Sequence, residues 1–522
     1  MKSKFSHSHA YMAFNRTIKN VESFYASRFS TSFLGYSNKD IFSRLIQRIV
    51  SVSFPSSVNY YHQNPELINL NLNQFYNFSH LSIHGLSGQV KLNKIFISKL
   101  LFEFLHFWFL ILYKVTVSLF IRSQPLNSTC LFYGLGHEHT NKKKLNEFCS
   151  FGPIIPLINA KKIFAQASLG GRFGKLIFGE APLLVLLEHS NISFNDYLFF
   201  LSLHFQSFYL FFLNAIKFPL SIIIARDIAY HAAATIINER DLISDIVLTL
   251  SNYTDQPLWM TSIKNKNFNL HMVYYSQNNR PMVNQSNEFD EDYPVNRHIK
   301  VDIRWVWTNW YKLYLKSRGV NSEIKVVGPI LFYLPPKNLL RKLSQTSFEI
   351  VIFDITPVNE KTRISNGLGD YWSSYNMTKF IIDIIQSKDE IELKYNIKLK
   401  IKLKTKRAFH KNHDRDYIKL LNNFENCGKL NLVNFSENLY TFLCSASIAI
   451  STPFTSTALI AGLMNVPSIY YDPTGELLPL YDDLPNISFI NTQQSLTRKI
   501  FEILYTNQKD MFVKKNKLPD YS

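Results

Sequence analysis

Residues 447–476, SIAISTPFTSTALIAGLMNVPSIYYDPTGE, read as strand, tight turn, helix, strand and acidic loop. Ile448 to Ile450 is a short apolar β run, and Ser451, Thr452 and Pro453 break it. Thr455 or Ser456 caps a helix expected over Thr457 to Met464. Asn465 closes that helix, and Pro467 to Tyr471 opens a second apolar strand. A hydroxyl-rich turn at a helix N-terminus, set between parallel strands, suits a phosphate, because free backbone N–H groups and the helix dipole both favour an anion. The competing reading is a helix cap that holds no ligand. Strand-to-helix turns are the ligand edge of α/β sheets, which keeps the phosphate reading open.

The pattern continues outward in both directions. Phe348 to Thr356, FEIVIFDIT, is a near-continuous apolar strand. A helix is expected over Ser373 to Gln386, a strand over Ile397 to Thr405 and a helix over Asp416 to Asn426. Leu430 to Phe435 is a strand, Ser436 to Ser445 a capped helix, and the last helix runs over Leu496 to Tyr505. Alternation of strand and helix with short connections predicts a doubly wound parallel sheet. Lys398, Lys400, Lys402, Lys404 and Lys406 alternate with Leu399, Ile401 and Leu403, the pattern of a strand with one solvated face. Three groups fall at strand ends as candidate nucleotide ligands: Asp354 with the Gly367 to Asp370 turn; Lys404, Lys406 and Arg407; and Ser451 to Thr457, with Asp472 and Glu476 one strand further.

The segment resembles bacterial polysaccharide-biosynthesis proteins named for a Pro-Phe-Thr-Ser motif, here Pro453, Phe454, Thr455 and Ser456. The Thr457-Ala458-Leu459-Ile460-Ala461 continuation and Tyr470-Tyr471-Asp472-Pro473 extend the match. It covers about 325–485, is fainter over 128–310 and is absent from the first hundred residues. The resemblance implies an α/β, GT-B-like glycosyltransferase, in which two Rossmann-like domains face a cleft. It implies sugar transfer from a nucleotide-activated donor during synthesis of a surface polysaccharide (capsule, O-antigen or lipopolysaccharide). A polyol-phosphate transferase, a nucleotide-sugar epimerase and a non-catalytic partner of an assembly complex are the alternatives.

Composition narrows the partners. The 522 residues carry a net charge of +18, with 46% apolar and 18% charged residues, enough for two or three buried cores. The basic balance suggests anionic partners such as nucleotide phosphates or anionic lipid, and no Lys/Arg tract or zinc-ligand array points to nucleic acid. Cys130, Cys149, Cys427 and Cys444 lack CxxC spacing and read as reduced thiols of a cytosolic protein. The first residues lack the apolar core of a secretory signal. No DxD-type metal motif stands at a strand end, and no cofactor is expected beyond the nucleotide-sugar co-substrate.

Leu100 to Ile121 is long enough to span a bilayer. Glu103 and Lys114 would each cost about 2.5–3.5 kcal/mol inside one. A helix lying on a membrane surface or in a protein groove is therefore expected, with a span the alternative. Tyr197 to Ile224 carries His204, Gln206, Asn214, Lys217 and Pro219 and is expected to be buried. The protein is expected in the cytoplasm, at the inner face of the cytoplasmic membrane.

In the N-terminal half, Thr129 to Tyr133 is a strand followed by Gly134-Leu135-Gly136-His137-Glu138-His139. An inverting transferase needs a base for the acceptor hydroxyl. His137 is the candidate, with Glu138, His139 and Glu180 as rivals and a plain surface loop as the alternative. Strands at Asp245 to Leu250 and Leu270 to Tyr275 end in Ser251, Asn252, Gln256 and Trp259, and in Ser276 and Asn278. Amides, hydroxyls and aromatic faces suit a sugar acceptor, though the same residues dominate ordinary turns. Trp305 to Lys316 reads as an amphipathic helix. The expected domains are a helical extension over 1–125, an acceptor domain over 126–325 and a nucleotide-sugar domain over 326–522.

Overall fold

The computed structural model describes residues 7–26, 34–63, 75–77, 80–84, 87–120, 129–133, 162–165, 192–241, 243–249, 256–262, 268–274, 296–328, 348–365, 370–479 and 486–509. They form an α/β chain with two Rossmann-like domains of GT-B-like type and a mostly helical N-terminal part. Two compact units carry the two sheets, one built on residues 12–275 and 293–333 and the other on 334–522.

The first unit opens with helices α1 (His7–Ala26) and α2 (Asn38–Gln63). A small antiparallel sheet follows, with strands β1 (Phe75–Asn77), β2 (Leu81–His84) and β3 (Val90–Leu92). Asn93 caps α3 (Lys94–Ser118) by accepting from the Ile95 N–H at 3.0 Å. Then come β4 (Thr129–Tyr133), β5 (Lys162–Ala165) and α4 (Phe194–Lys217), the last with a Ser193/Asp196 capping box. Pro219–Ile224 is a 3₁₀ turn, and α5 (Ala225–Ala229) and α6 (His231–Glu239) lie almost wholly buried. The unit continues with β6 (Ile243–Thr249), α7 (Trp259–Ser262), β7 (Asn269–Val273), β8 (Ile303–Val306), α8 (Asn309–Ser317) and β9 (Glu323–Val326).

All six strands β4 to β9 are parallel, in the order β5-β4-β6-β7-β8-β9. Two expectations change. Trp305 belongs to strand β8, and the helix begins only at Asn309, where Thr308 caps it. The preceding Arg304 is fully buried and bonded to the Tyr274 hydroxyl and to the carbonyls of Asn296 and Ile299. α4 is not a buried helix either: Phe205 and Tyr209 on it are more than half exposed.

The second unit holds β10 (Phe348–Phe353), α9 (Glu360–Ser365), α10 (Ser374–Tyr395), β11 (Leu399–Lys404), α11 (Arg415–Asn426) and β12 (Asn431–Val433). It ends with α12 (Leu439–Cys444), β13 (Ile448–Ser451), α13 (Ser456–Leu463), β14 (Ser468–Tyr471), β15 (Ile487–Ile490) and α14 (Gln493–Lys509). The sheet is parallel throughout, in the order β12-β11-β10-β13-β14-β15. β13 and β14 are buried at every residue, as a strand covered on both faces must be. β11 buries Leu399, Ile401 and Leu403, while Lys402 on its other face pairs with Glu349 at 2.7 Å.

The chain starts at β10, moves to β11 and β12, then returns to β13 on the opposite side. The strand order therefore reverses between β10 and β13, and the crevice beyond their carboxyl ends is where such sheets bind ligands. Phe353 pairs with both Ser451 and Lys404, so the ends of these three strands lie side by side. In the first sheet the reversal falls between β4 and β6.

Candidate functional site

The Pro453 to Ser456 turn sits at the reversal point of the second sheet. Ser451 and Thr452 are fully buried at the end of β13. Phe454 takes a left-handed backbone conformation, with φ at +64°. Its buried ring lies against Phe489 and Tyr470, with centroids 5.8 and 5.7 Å away. Below the turn, the Tyr470 hydroxyl donates to the Thr455 carbonyl at 2.8 Å.

Thr455 stands at the N-cap of α13 but provides no side-chain cap. Its hydroxyl instead donates to the Thr452 carbonyl at 3.0 Å and lies 3.2 Å from Thr457 Oγ1, which in turn meets Ser451 Oγ at 2.9 Å. The first turn of α13 thus receives nothing from the residue placed to cap it. The Thr452 hydroxyl is buried with no hydrogen-bond partner, a state that costs about 1–3 kcal/mol. A ligand oxygen at the turn would satisfy both features, and a phosphate is the group that helix N-termini favour.

Next to the turn, Asp354 closes β10. Its carboxylate accepts from the Tyr417 hydroxyl (2.8 Å), the Thr356 hydroxyl (2.9 Å) and the Lys406 N–H (3.1 Å). Burial pushes its carboxyl up, against the pull of those three donors. Asp354 thereby ties the ends of β10 and β11 to α11 and holds the loop after β11 in place. On that loop, Lys404 is half-buried and donates to the Phe435 carbonyl, and burial lowers its ammonium. Lys406 is lowered to about 8 by desolvation first and then by neighbouring Arg407, with Asp354 opposing. Its side chain keeps solvent access, and the ammonium is charged at neutral pH and loses its proton as pH rises through about 8. Lys406 and Arg407 are the cations of the group that remain available to an anion.

The sequence reading missed His413. Its Nδ1 accepts from the His410 N–H at 3.2 Å, so a neutral ring carries its proton on Nε2. That Nε2 is buried without a partner. Burial, then His410 and Arg407, lower its pKa and keep the ring neutral. The ring sits just under the surface beside the Arg407 loop as a spare N–H donor. No motif marks it, because what matters is a backbone bond between residues three apart.

Two sets of expected ligands are reassigned. Asp472 is fully buried, and its carboxylate accepts from Tyr371 Oη (3.1 Å), Thr474 N (2.9 Å), Thr474 Oγ1 (2.7 Å) and Leu477 N (2.9 Å). It orders the loop after β14 and is closed off from solvent, whereas Glu476 on the same loop is exposed. In the first unit, Gln256 is fully buried and bonded to both the carbonyl and the N–H of Lys300, at 2.6 and 2.9 Å. Trp259 is buried too. Neither offers a surface to an acceptor. Ser251, Asn252, Ser276 and Asn278 lie outside the described residues, as do His137, Glu138, His139 and Glu180. β4, which leads into His137, ends beside β6 at the reversal point of the first sheet. Among the described residues no three His, Cys, Asp or Glu side chains group as metal ligands.

A family model described as "Polysaccharide biosynthesis PFTS motif protein" matches residues 208–500, more than half of the chain. The chain belongs to this family. In the PFTS-motif protein described here, the motif is the turn at the reversal point between β10 and β13. No curated protein sequence matches it. Among solved structures it is similar to a mutant S. aureus TarM in complex with Fondaparinux, alpha-GlcNAc-glycerol and UDP, at 14% identity and a TM-score of 0.35, over 53% of this chain. The PFTS-motif protein spans about half of that chain (52%). It is also similar to a glycosyltransferase from Rickettsia africae (14% identity, TM-score 0.38, 74% of this chain and 90% of that one). A putative UDP-N-acetylglucosamine 2-epimerase from Listeria monocytogenes matches at 10% identity and a TM-score of 0.35, over 76% of this chain and 92% of that one.

Proposed function

We propose that the protein is a glycosyltransferase that moves a sugar from a nucleotide-activated donor to a glycan or lipid-linked acceptor of a bacterial surface polysaccharide. The observation that carries this reading is the PFTS turn: an N-cap residue that does not cap, beside a buried hydroxyl without a partner, at the reversal point of a parallel sheet. In this reading the N-terminal amides of α13, with the Thr452 and Ser456 hydroxyls, take the donor diphosphate. Lys406 and Arg407 neutralise the charge that grows on the leaving nucleotide, which stabilises the transition state more than the ground state. Glu476 accepts from ribose hydroxyls. His137 takes the proton of the acceptor hydroxyl as the glycosidic bond forms and the bond to the phosphate breaks. The enzyme works in the cytoplasm, at the inner face of the membrane, where both nucleotide donor and lipid-linked acceptor are within reach.

The test is product release. The purified protein is incubated with UDP-, GDP- and CMP-sugars and a membrane extract, and free nucleotide is measured beside incorporation of labelled sugar. Release of one nucleotide matched by sugar incorporation supports transfer. Conversion of the sugar without nucleotide release points to an epimerase. Neither result with any donor, for a folded protein, contradicts an enzymatic role.

A further inference from the structure

Helices α3 and α4 are each long and apolar enough to cross a membrane, with mean hydropathy of 1.9 and 1.4 over their most apolar windows. They pack as an antiparallel pair. Trp108 stacks on His204 at 4.4 Å; its indole N–H donates to the His204 carbonyl, and His204 Nε2 bonds back to the Trp108 carbonyl. Toward one end Thr116 Oγ1 meets Tyr197 Oη at 2.9 Å, and toward the other Phe104 stacks on Phe211 at 4.1 Å. The inner side of the pair rests on the protein, where Phe107 contacts Tyr230 and the Arg226 guanidinium.

Among the described residues of its own unit, none covers the outer side. Phe102, Phe109 and Tyr113 on α3 are 60–70% exposed. Phe205, Tyr209 and Ile216 on α4 are 55–78% exposed. Their four- and seven-residue spacing gathers them into stripes. The antiparallel arrangement brings Lys94 and Lys99 of α3 to the same end as Lys217 of α4, and all three are exposed. An aromatic stripe bordered by lysines suits the boundary between acyl chains and anionic headgroups, and the chain's net charge of +18 adds to that attraction.

Topology decides between lying on the bilayer and crossing it. If α4 alone crossed, or α3 and α4 together, β4 would be on the opposite side from β6, yet the two pair residue by residue from Thr129 to Tyr133. If α3 alone crossed, or α3, α4 and the bent 219–239 segment together, residues 22–47 would be parted from residues 297–300. Glu22 is bonded to Arg297 and His298, Gln47 to the His298 carbonyl and Asp40 to Lys300. A hairpin of α4 and the bent segment would carry Phe218 to the far side, but Phe218 packs on Tyr25.

We propose that α3 and α4 together form an in-plane docking face for an anionic bilayer, and that neither helix spans it. The inference is independent of the sugar-transfer reading.

Flotation of the full-length protein with phosphatidylglycerol–phosphatidylcholine vesicles, and with phosphatidylcholine alone, tests it. The protein floats with the anionic vesicles, and added salt weakens the association. Two variants, Phe102→Glu with Phe109→Glu on α3, and Phe205→Glu with Tyr209→Glu on α4, each lower the apparent affinity about tenfold or more, since a charge replaces buried ring area at both positions. Circular dichroism confirms that they fold. Failure of the wild type to bind either vesicle overturns the proposal, as does unchanged binding by both folded variants. A lipid-free dimer that the same variants dissociate assigns the face to a second copy and also overturns it. Retention of the protein in bacterial membranes after alkaline carbonate, with residues 119–193 cleaved by protease in intact spheroplasts but shielded in inverted vesicles, would mean a span and would overturn the in-plane geometry.

Discussion

Phe454→Gly should destabilise the second domain less than Phe454→Ala, although glycine removes one more carbon. The ring of Phe454 is 3% exposed and packed on Tyr470 and Phe489. Losing it costs about 3–5 kcal/mol in either variant. The backbone at φ +64° adds a second effect. An L-residue held in the left-handed region costs about 1–2 kcal/mol, and alanine keeps that cost while glycine does not. Glycine's extra freedom in the unfolded chain takes back about 0.4–1 kcal/mol. The net advantage of glycine over alanine is about 1 kcal/mol, or about fivefold in an opening equilibrium. Amide hydrogen exchange of β13 and β14 reads that difference locally, without assuming one unfolding transition for a two-domain chain. Equal or faster exchange in the glycine variant would refute the left-handed turn, and with it the account of how the motif aims its amides and hydroxyls.

Three further outcomes are expected. Lys406 is lowered to about 8 in the free protein, by desolvation and then by Arg407; a bound phosphate restores the ammonium, so nucleotide affinity falls as pH rises above about 8, and calorimetry should find that dependence flattened in Lys406→Met. Asp472→Asn replaces one acceptor oxygen by an amide nitrogen facing the Leu477 N–H or the Thr474 and Tyr371 donors; it should cost about 1–3 kcal/mol in urea unfolding, and an unchanged midpoint would mean the carboxylate is not the loop's anchor. His137→Ala should lower the turnover rate by about 10²–10⁴-fold with donor affinity retained, and near-normal turnover, with a collapse instead at Glu138, His139 or Glu180, would reassign the base.

Much of this architecture was legible because its signals are local. FEIVIF at 348–353 and the buried runs of β13 and β14 could only be strands covered on both faces. The lysine alternation of β11 correctly announced one buried and one charged face. Asn465, with φ at +57°, ends α13 as the sequence suggested. β15 was not seen, since four residues of middling burial beside β14 carry little pattern.

The site was only partly legible, because residue type does not reveal whether a side chain is already occupied. Asp472 and Gln256 looked like ligand groups, but buried backbone donors and acceptors had claimed them. His413 looked like nothing, yet its unpartnered Nε2 is a consequence of tertiary packing. The exposure of α4 was likewise out of reach. Composition gives a helix's apolarity, and only packing says which of its faces the protein covers.

The central claim is that the PFTS turn binds the diphosphate of a nucleotide-activated sugar. Isothermal titration of UDP, GDP, CDP and CMP into the wild type and into a Thr452→Val, Ser456→Ala double variant tests it most directly. The account predicts that one nucleotide binds the wild type and that the folded double variant binds it about 1–3 kcal/mol more weakly, through loss of charge-assisted hydrogen bonds. Equal affinity in the two proteins, or no binding of any nucleotide to the wild type, would contradict it.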